Sequence, residues 1–387
     1  MHVMIVGASG AMAAVAIRDL LESVNDLSIT ALDSRPSLAN DARVRTVILN
    51  VEDELRLARC IENHDVVVNC LPYHLNLPVM RAALQVRVPY TDLGGLYHVT
   101  LQQLALHEAF VHSGLTAVLG MGSTPGITNV MAGALAAQMD RVEEIHVRVA
   151  CQDEAVLAPL PIPYSLDTIL DEFSLDPQIL RDGQVIRVPP LSGSDLINFP
   201  PPVGTAETRY ALHSEVAMFP YSFPGLKEAS FKIAFPQGFT RNLKLLVELG
   251  FASSEPLVRD VSPREMLLAL SRKQPVPELE PRDCDVLRVE VKGSAQGSTV
   301  HGTAQSIILP DRAKGISAGA LDTGVPLSIV AQMLATGHIR NPGVLCPETS
   351  VPPEPFFRQL ERRGIQVSFS WRNQSPRSKV QSPTAKT

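Results

Sequence analysis

The chain has 387 residues, 45% hydrophobic and 19% charged, with a net charge of −6 at pH 7. That length suits two domains rather than one very large core, and the composition is globular rather than disordered. The acidic balance offers no basic footprint for nucleic acid, no apolar run approaches the roughly 20 residues of a membrane span, and the cysteines (Cys60, Cys70, Cys151, Cys284, Cys346) are scattered without C-x-x-C spacing, which argues against a disulfide framework or a zinc site. No metal site is expected from the dispersed histidines. The N-terminus enters a strand directly, without a charged leader, and a reducing cytoplasm is the expected setting.

His2 to Val6 is a short apolar run with the composition of a buried strand. It ends at Gly7, and from Ala11 a helical pattern places Ala13, Ala14, Ile17 and Leu21 on one side and Arg18, Asp19 and Glu22 on the other. Strand, glycine loop and helix open a dinucleotide-binding βαβ unit. The spacing is Gly7-x-x-Gly10-x-x-Ala13, with Ser9 and Met12 at two positions where the G-x-G-x-x-G motif has glycine. Gly7, Ser9, Gly10, Ala11 and Met12 are the candidates to meet the pyrophosphate. Leu27 to Leu32 reads as the second strand; it ends at Asp33, whose carboxylate suits ribose hydroxyls, followed by Ser34 and Arg35. Asp33 favours NAD, while Arg35 leaves NADP possible.

Arg45 to Leu49 is the next strand, with Asn50 and Val51 as neighbours for the adenine. Glu52 to Glu62 is helical in pattern. The strand from Asp65 ends at Asn69-Cys70-Leu71-Pro72-Tyr73-His74, which should face the nicotinamide half because ligands sit beyond the carboxyl ends of parallel strands. Val79–Val86 and Leu101–Ser113 read as helices, Pro89–Asp92 and Thr116–Leu119 as strands. This alternation predicts a doubly wound parallel sheet. The loop Gly120 to Asn129 offers glycines and hydroxyls at a helix start, either to cradle an anion or to act as a hinge. Beyond it the pattern becomes antiparallel: strands at 143–151, 228–235, 287–291 and 299–309, the last two forming a hairpin, with helices at 166–173, 240–249 and 263–271. Gly315 to Leu334 is apolar and helical, with Pro326 expected at a break or first turn. From Arg372 the chain is polar and proline-interrupted, which predicts a disordered tail.

Several stretches together resemble the saccharopine dehydrogenase-like family, especially its lysine 6-dehydrogenase branch. They are Asn69–His74, Tyr90–Asp92, Gly120–Asn129 with Pro125-Gly126, Leu212–Pro220, Ala320–Pro326 and Phe356–Gly364. The chain departs from the family in a Gly7–Gly10 loop one residue longer than usual, and in Cys151–Glu154 where a glycine-containing turn is expected. The resemblance implies an α/β fold: an N-terminal Rossmann domain (1–125), an inserted, largely antiparallel α+β domain for substrate and dimerisation (126–312), and a C-terminal helical return to the first domain (313–371), before the tail (372–387). It also implies oxidation at an amine-bearing carbon with NAD(P), and a homodimer.

Amine oxidation needs a group that keeps the reacting nitrogen neutral, because an ammonium has no lone pair to expel hydride. Asp92, at a strand end near the cleft, is the first candidate to bind the amine or relay its proton; a turn aspartate capping local amides is the alternative. Tyr73 and His74 are further candidates beside the nicotinamide. His213 and Glu215 alternate as on a strand and could reach the substrate together. Arg209 could grip a carboxylate, with Arg241 also in view, and Thr124, Pro125 and Gly126 could hold the substrate. Cys70 reads as a buried small hydrophobe rather than a nucleophile. His98, His107 and His112 are expected to be solvated. The expected substrate is L-lysine or a close amino acid, oxidised at its side-chain amine to a semialdehyde with release of ammonia. Saccharopine or another opine-like secondary amine is the second reading, and a nucleotide-binding homologue without catalysis the third.

Overall fold

The computed structural model describes residues 1–36, 39–153, 162–273 and 280–374. The first unit contains strands β1 (His2–Val6), β2 (Ser28–Asp33), β3 (Val44–Ile48), β4 (Val66–Asn69), β5 (Tyr90–Asp92) and β6 (Thr116–Val118), with helices α1 (Ala11–Ser23), α2 (Glu54–Ile61), α3 (Asn76–Val86), α4 (Leu96–Leu104) and α5 (His107–His112). Its strands are all parallel. The β4 run Val66-Val67-Val68-Asn69 is buried throughout, the mark of a strand covered on both faces. Helix α6 (Ile127–Ala136) leads into the second unit: β7 (Arg141–Asp153), α7 (Leu166–Ser174), β8 (Gln178–Arg181), β9 (Gln184–Arg187), β10 (Asp195–Asn198), β11 (Thr205–Tyr210), α8 (Glu215–Ser222), β12 (Glu228–Ala234), α9 (Gln237–Glu248), α10 (Pro263–Ser271), β13 (Asp283–Ala295) and β14 (Ser298–Ile308). The chain closes with α11 (Ala318–Ala335), β15 (Gly343–Leu345), α12 (Pro347–Ser350), α13 (Pro353–Glu361) and β16 (Val367–Gln374).

The first sheet has the order β15-β6-β5-β4-β1-β2-β3. Strand order reverses between β1 and β4, so the crevice there is the ligand-binding switch point. The second sheet runs β10-β11-β12-β7-β13-β14-β16, with β8 and β9 attached at β12. It is antiparallel except for the β7–β12 pair.

The structure corrects several expectations. The helix expected at 101–113 is two helices, α4 and α5, parted at Ala105-Leu106. The C-terminal segment is more than a helical return: β15 adds a strand to the first sheet beside β6, and β16 pairs with β14 in the second. The expected tail begins inside β16, where Gln374 lies opposite Thr299; residues 375–387 lie outside the described residues, as does most of the proline-rich stretch from Ala158 and Glu154 of the departure noted above. Pro326 is inside α11 rather than at a break. That helix is long and apolar enough to cross a membrane by length and composition, but most of it is buried in the protein core. Its Gly324 allows close packing on α1, since a Cβ there would lie 2.7 Å from the Val15 side chain. Asp19, expected on the solvent side of α1, is buried: it accepts hydrogen bonds from Ser328 of α11 at 2.6 Å and from the Arg363 guanidinium at 2.5 Å. A shift of about one residue in the buried face explains this, for Val15, Ala16 and Leu20 face the core while Ala14 is exposed.

Candidate active site

At the end of β1, the amides of Gly7 and Ala8 both donate to the Leu32 carbonyl, at 2.8 and 3.2 Å, which bends the chain sharply toward α1. Gly7 has φ +83°, and a Cβ there would meet the Cys70 and Leu71 backbone at 2.9 Å. Gly10 precedes α1 with no side-chain cap, and the first turn carries no acidic residue, so the free amides around Ala11 and Met12 present an uncompensated helix N-terminus. This cradle fits a pyrophosphate. Asp33 accepts from the Ser9 amide (3.0 Å) and hydroxyl (2.8 Å) on one oxygen, and from the Arg35 amide (3.0 Å) and the Ser34 hydroxyl (3.3 Å) on the other. Burial pushes its carboxyl up, but the Ser9 and Arg35 bonds outweigh it and hold the group below the ordinary carboxylate value. The Arg35 guanidinium donates to the Ser9 hydroxyl at 3.0 Å, so the ribose end of the crevice carries both signs of charge. Asn50 is exposed and bonded to Glu52, whereas Val51 points into the core, away from an adenine. Pro72 leads a single 3-10 turn, Tyr73–Leu75, and burial pushes the Cys70 thiol up to about 12, leaving it an inert neutral group.

Asp92 ends β5, and its bonds are those of the alternative reading, a carboxylate that caps local amides. It is fully buried, and its carboxylate accepts from the Gly94 and Gly120 amides (3.0 and 2.8 Å), the Tyr90 hydroxyl (2.9 Å) and the Gln103 amide (2.6 Å). With both oxygens engaged by its own domain, Asp92 braces the loops after β5 and β6 instead of meeting a substrate amine. Burial raises its carboxyl above the usual range despite these donors. Asp92→Asn would put an NH2 against one set of donors. It is expected to cost about 1–3 kcal/mol of stability while kcat of the folded enzyme stays within a few-fold, as chemical denaturation and steady-state rates would show.

The braced loop after β6 delivers two hydroxyls. Ser123 donates to Asp322 in the first turns of α11 at 2.7 Å, and Thr124 donates to Glu215. Gly126 donates its amide to Asn129 (3.1 Å), which holds Glu348 of α12 at 2.8 Å, while Pro125 sits against Gly94 and Gly120. Glu215 opens helix α8 and does not lie on a strand. It is fully buried, with Thr128 as a further donor at 3.3 Å and the His213 imidazole on its other oxygen. His213 stacks on Phe231 of β12 with ring centroids 3.9 Å apart. Burial alone would lower the His213 imidazolium, but the carboxylates of Glu215 and Glu172 more than offset it, so its pKa lies above the ordinary value. On α7, Glu172 accepts from the Tyr164 hydroxyl at 2.5 Å, and burial raises its carboxyl to about 7 even with His213 nearby. Asp285 of β13, raised by burial to about 7, adjoins Cys151 and Asp322.

The loops of the first unit, helices α7, α8 and α11 and strand β13 thus bring His213, Glu215 and Thr124 together, with Tyr164, Glu172, Asp285 and Asp322 beside them. Tyr73 spans the cleft differently: its hydroxyl donates to Asp171 at 2.7 Å, which in turn receives Arg264. His74 is exposed and, among the aromatic rings of the described residues, meets the edge of Tyr73 alone. Arg209 does not offer a free grip, because its guanidinium donates to Glu207 (2.7 Å) and to the Leu191 carbonyl (3.0 Å). His107 is half-buried and bonded to the Val344 carbonyl rather than solvated. Of the added residues, Asp322 lies in a stretch that carries the family resemblance; Glu172 lies within a plain amphipathic helix pattern and gives no sign of its burial.

A Rossmann sheet with a glycine cradle at its switch point, joined to a second sheet beside which a buried His213–Glu215 pair lies, defines a two-domain, NAD(P)-dependent oxidoreductase. The chain belongs to the saccharopine dehydrogenase family. Residues 3–118 match the saccharopine dehydrogenase NADP binding domain, and residues 122–365 match the saccharopine dehydrogenase C-terminal domain. It is 25% identical, over 94% of its length and 96% of the relative's, to carboxyaminopropylagmatine dehydrogenase of a Synechocystis species. It is 24% identical to carboxynorspermidine synthase of Vibrio cholerae, over 82% of this chain and 80% of that one. Among solved structures, apo saccharopine dehydrogenase (L-Glu forming) from Saccharomyces cerevisiae superposes with a TM-score of 0.72 at 17% identity, covering 96% of this chain and 99% of the other. Homospermidine synthase from Legionella pneumophila, in complex with NAD, gives 0.68 at 13% identity, covering 95% and 91%. Both share this fold.

Proposed function

We propose that the protein interconverts a carboxyl-bearing secondary amine with an aldehyde and a primary amine. In the oxidative direction a hydride leaves the carbon beside the nitrogen and a C=N bond forms. Water adds to that carbon, C–N cleavage releases the aldehyde and the primary amine, and one proton passes to solvent. The nicotinamide supplies the hydride acceptor. The observation that carries this reading is the buried His213–Glu215 pair, a base oriented by a carboxylate, with the acidic groups Glu172, Asp285 and Asp322 clustered beside it to accept hydrogen bonds and exchange protons with an amine. Support also comes from the relatives, since carboxynorspermidine, carboxyaminopropylagmatine and saccharopine are all secondary amines bearing carboxyl groups.

In this reading His213, oriented by Glu215, takes the proton from the substrate nitrogen, and Thr124 fixes the far oxygen of Glu215. Glu172, with a carboxyl near 7, takes the proton released as water adds, and Tyr164 holds it in place. Asp33 supports NAD, and Arg35 gives a 2′-phosphate a place as well. The expected homodimer and cytoplasmic setting are part of the proposal. Exposed Phe369 and Trp371 on edge strand β16 support the first, and five free thiols the second.

The test is NAD(P)H formation from carboxynorspermidine, saccharopine and L-lysine with each nucleotide. The expected result is turnover of a secondary amine at least a hundredfold above L-lysine in kcat/KM. Preferred turnover of L-lysine with ammonia release would establish the narrower lysine reading instead. Cofactor binding without turnover of any of the three would point to the non-catalytic homologue.

A further inference from the structure

Neither Arg209 nor Arg241 is placed to hold a substrate carboxylate: the first is engaged by Glu207 and Leu191, and the second is exposed on α9. A different group of residues is placed to do so. A recess of about 370 Å³ opens at the mouth of the interdomain cleft, lined by His98 of α4 and by Ser174, Asp176, Gln178, Arg187 and Leu212 of the second unit. Leu212 is the chain neighbour of His213, so the recess adjoins the cluster of acidic side chains around His213. Its wall on the first unit is also tied to that cluster, because His98 packs edge-on against Tyr73, with centroids 5.6 Å apart, and Tyr73 donates to Asp171 beside Glu172.

The β8–β9 hairpin sets the chemistry of the recess. Gln178 and Arg187 are directly opposite each other in its register, so their side chains leave the same face, and Asp176 lies two residues before Gln178. Arg187 makes no hydrogen bond or ion pair with any described residue. The Gln178 carboxamide uses its NH2 on the Asp176 carbonyl at 3.1 Å, while its oxygen is buried without a partner. His98 adds no firm charge, since burial lowers its imidazolium below the ordinary value. The recess therefore offers an unpaired guanidinium, a carboxylate and an unmatched amide oxygen: an anion site beside two acceptors for an ammonium.

We propose that this recess binds the zwitterionic α-amino-acid end of the substrate, with its carboxylate on Arg187 and its ammonium on Asp176 and the Gln178 oxygen. Arg187 is then a specificity-determining residue, selecting amino-acid-headed amines over plain polyamines, and Asp176 anchors the ammonium that both share. The inference rests on the amine-substrate reading above, which supplies the second, reacting nitrogen held at His213.

The test is calorimetric titration of the whole protein with two matched pairs, carboxynorspermidine against norspermidine and L-lysine against cadaverine. Each pair differs only by a carboxyl group, and binding is read without turnover. The expected result is at least tenfold tighter binding of the carboxylated member in one pair or both. Arg187→Gln removes that preference and leaves norspermidine and cadaverine unchanged, Arg187→Lys restores part of it, and Asp176→Asn weakens both members of each pair, which share the ammonium it holds. Equal binding within both pairs, or a preference that survives in Arg187→Gln, would overturn the proposal. Turnover is scored separately: a preference for the carboxylated ligand in a protein that oxidises none of the amines supports the recess and contradicts the enzymatic reading.

Discussion

Replacing Glu215 with glutamine is expected to lower kcat for amine oxidation by about 10²–10⁴-fold, the span associated with a lost acid–base function. Glu215 is fully buried, and its oxygens hold His213 on one side and Thr124 and Thr128 on the other. A carboxamide keeps the size but removes the charge that lifts the His213 pKa and presents an NH2 to one set of partners. His213 is then a weaker base, free to turn on Phe231.

The pH dependence follows with a definite sign. In the wild type the His213 pKa is raised, so the imidazole is a free base only above that value, and oxidation should accelerate as pH rises through it. The same shift contributes stability that is fully present below the unfolded pKa of about 6.5 and is lost as pH rises through the folded value. In Glu215→Gln both the rate step and the stability slope should move to lower pH. Rate–pH profiles and thermal unfolding across pH 5.5–9, chosen to bracket roughly the range where histidine titrates, would measure both.

Gly7→Ala should abolish productive dinucleotide binding. The residue sits at φ +83°, where an L side chain is strained by about 1–3 kcal/mol. Its new Cβ would also fall 2.9 Å from the backbone of Cys70 and Leu71, which belongs to the end of β4 and has little room to move. Relief requires the Ala8–Gly10 loop to swing away from β4, which misaligns the α1 amides and breaks the Ser9–Asp33 bonds together. The expected outcome is at least a hundredfold weaker binding of NADH and NADPH in fluorescence titrations. The second sheet should keep its far-ultraviolet signature. Wild-type affinity in this variant would show that the cradle is not where the pyrophosphate binds.

The first sheet was readable in the sequence because parallel strands buried on both faces write themselves as unbroken apolar runs, as in Val66–Val68, and because Gly7 marks a turn that other residues fill poorly. The site was only partly readable. Asp92 ends a strand in the right crevice, but a strand-end aspartate looks the same whether its oxygens face a ligand or, as here, four donors of its own fold. His213 and Glu215 stand out by type, yet their i, i+2 spacing suggests a strand, whereas Glu215 begins a helix and the pair meets across the turn before it. Glu172 is invisible for a related reason: helix period places it beside the apolar stripe of α7, and only tertiary packing within the second unit, which brings Tyr164 and His213 to it, decides that it is buried. Arg209 and Arg187 are indistinguishable as letters; they differ because Glu207 lies two residues from one and Gln178 lies across the hairpin from the other. Polarity misled at Arg372–Gln374, since an edge strand is held by backbone bonds that need no apolar side chain.

The most direct test of the central claim is product analysis by mass spectrometry after oxidation of carboxynorspermidine or saccharopine with NAD(P). One primary amine and one aldehyde are expected for each NAD(P)H formed, with no ammonia. NAD(P)H formed with stoichiometric ammonia from a primary amine, and none from either secondary amine, would contradict it.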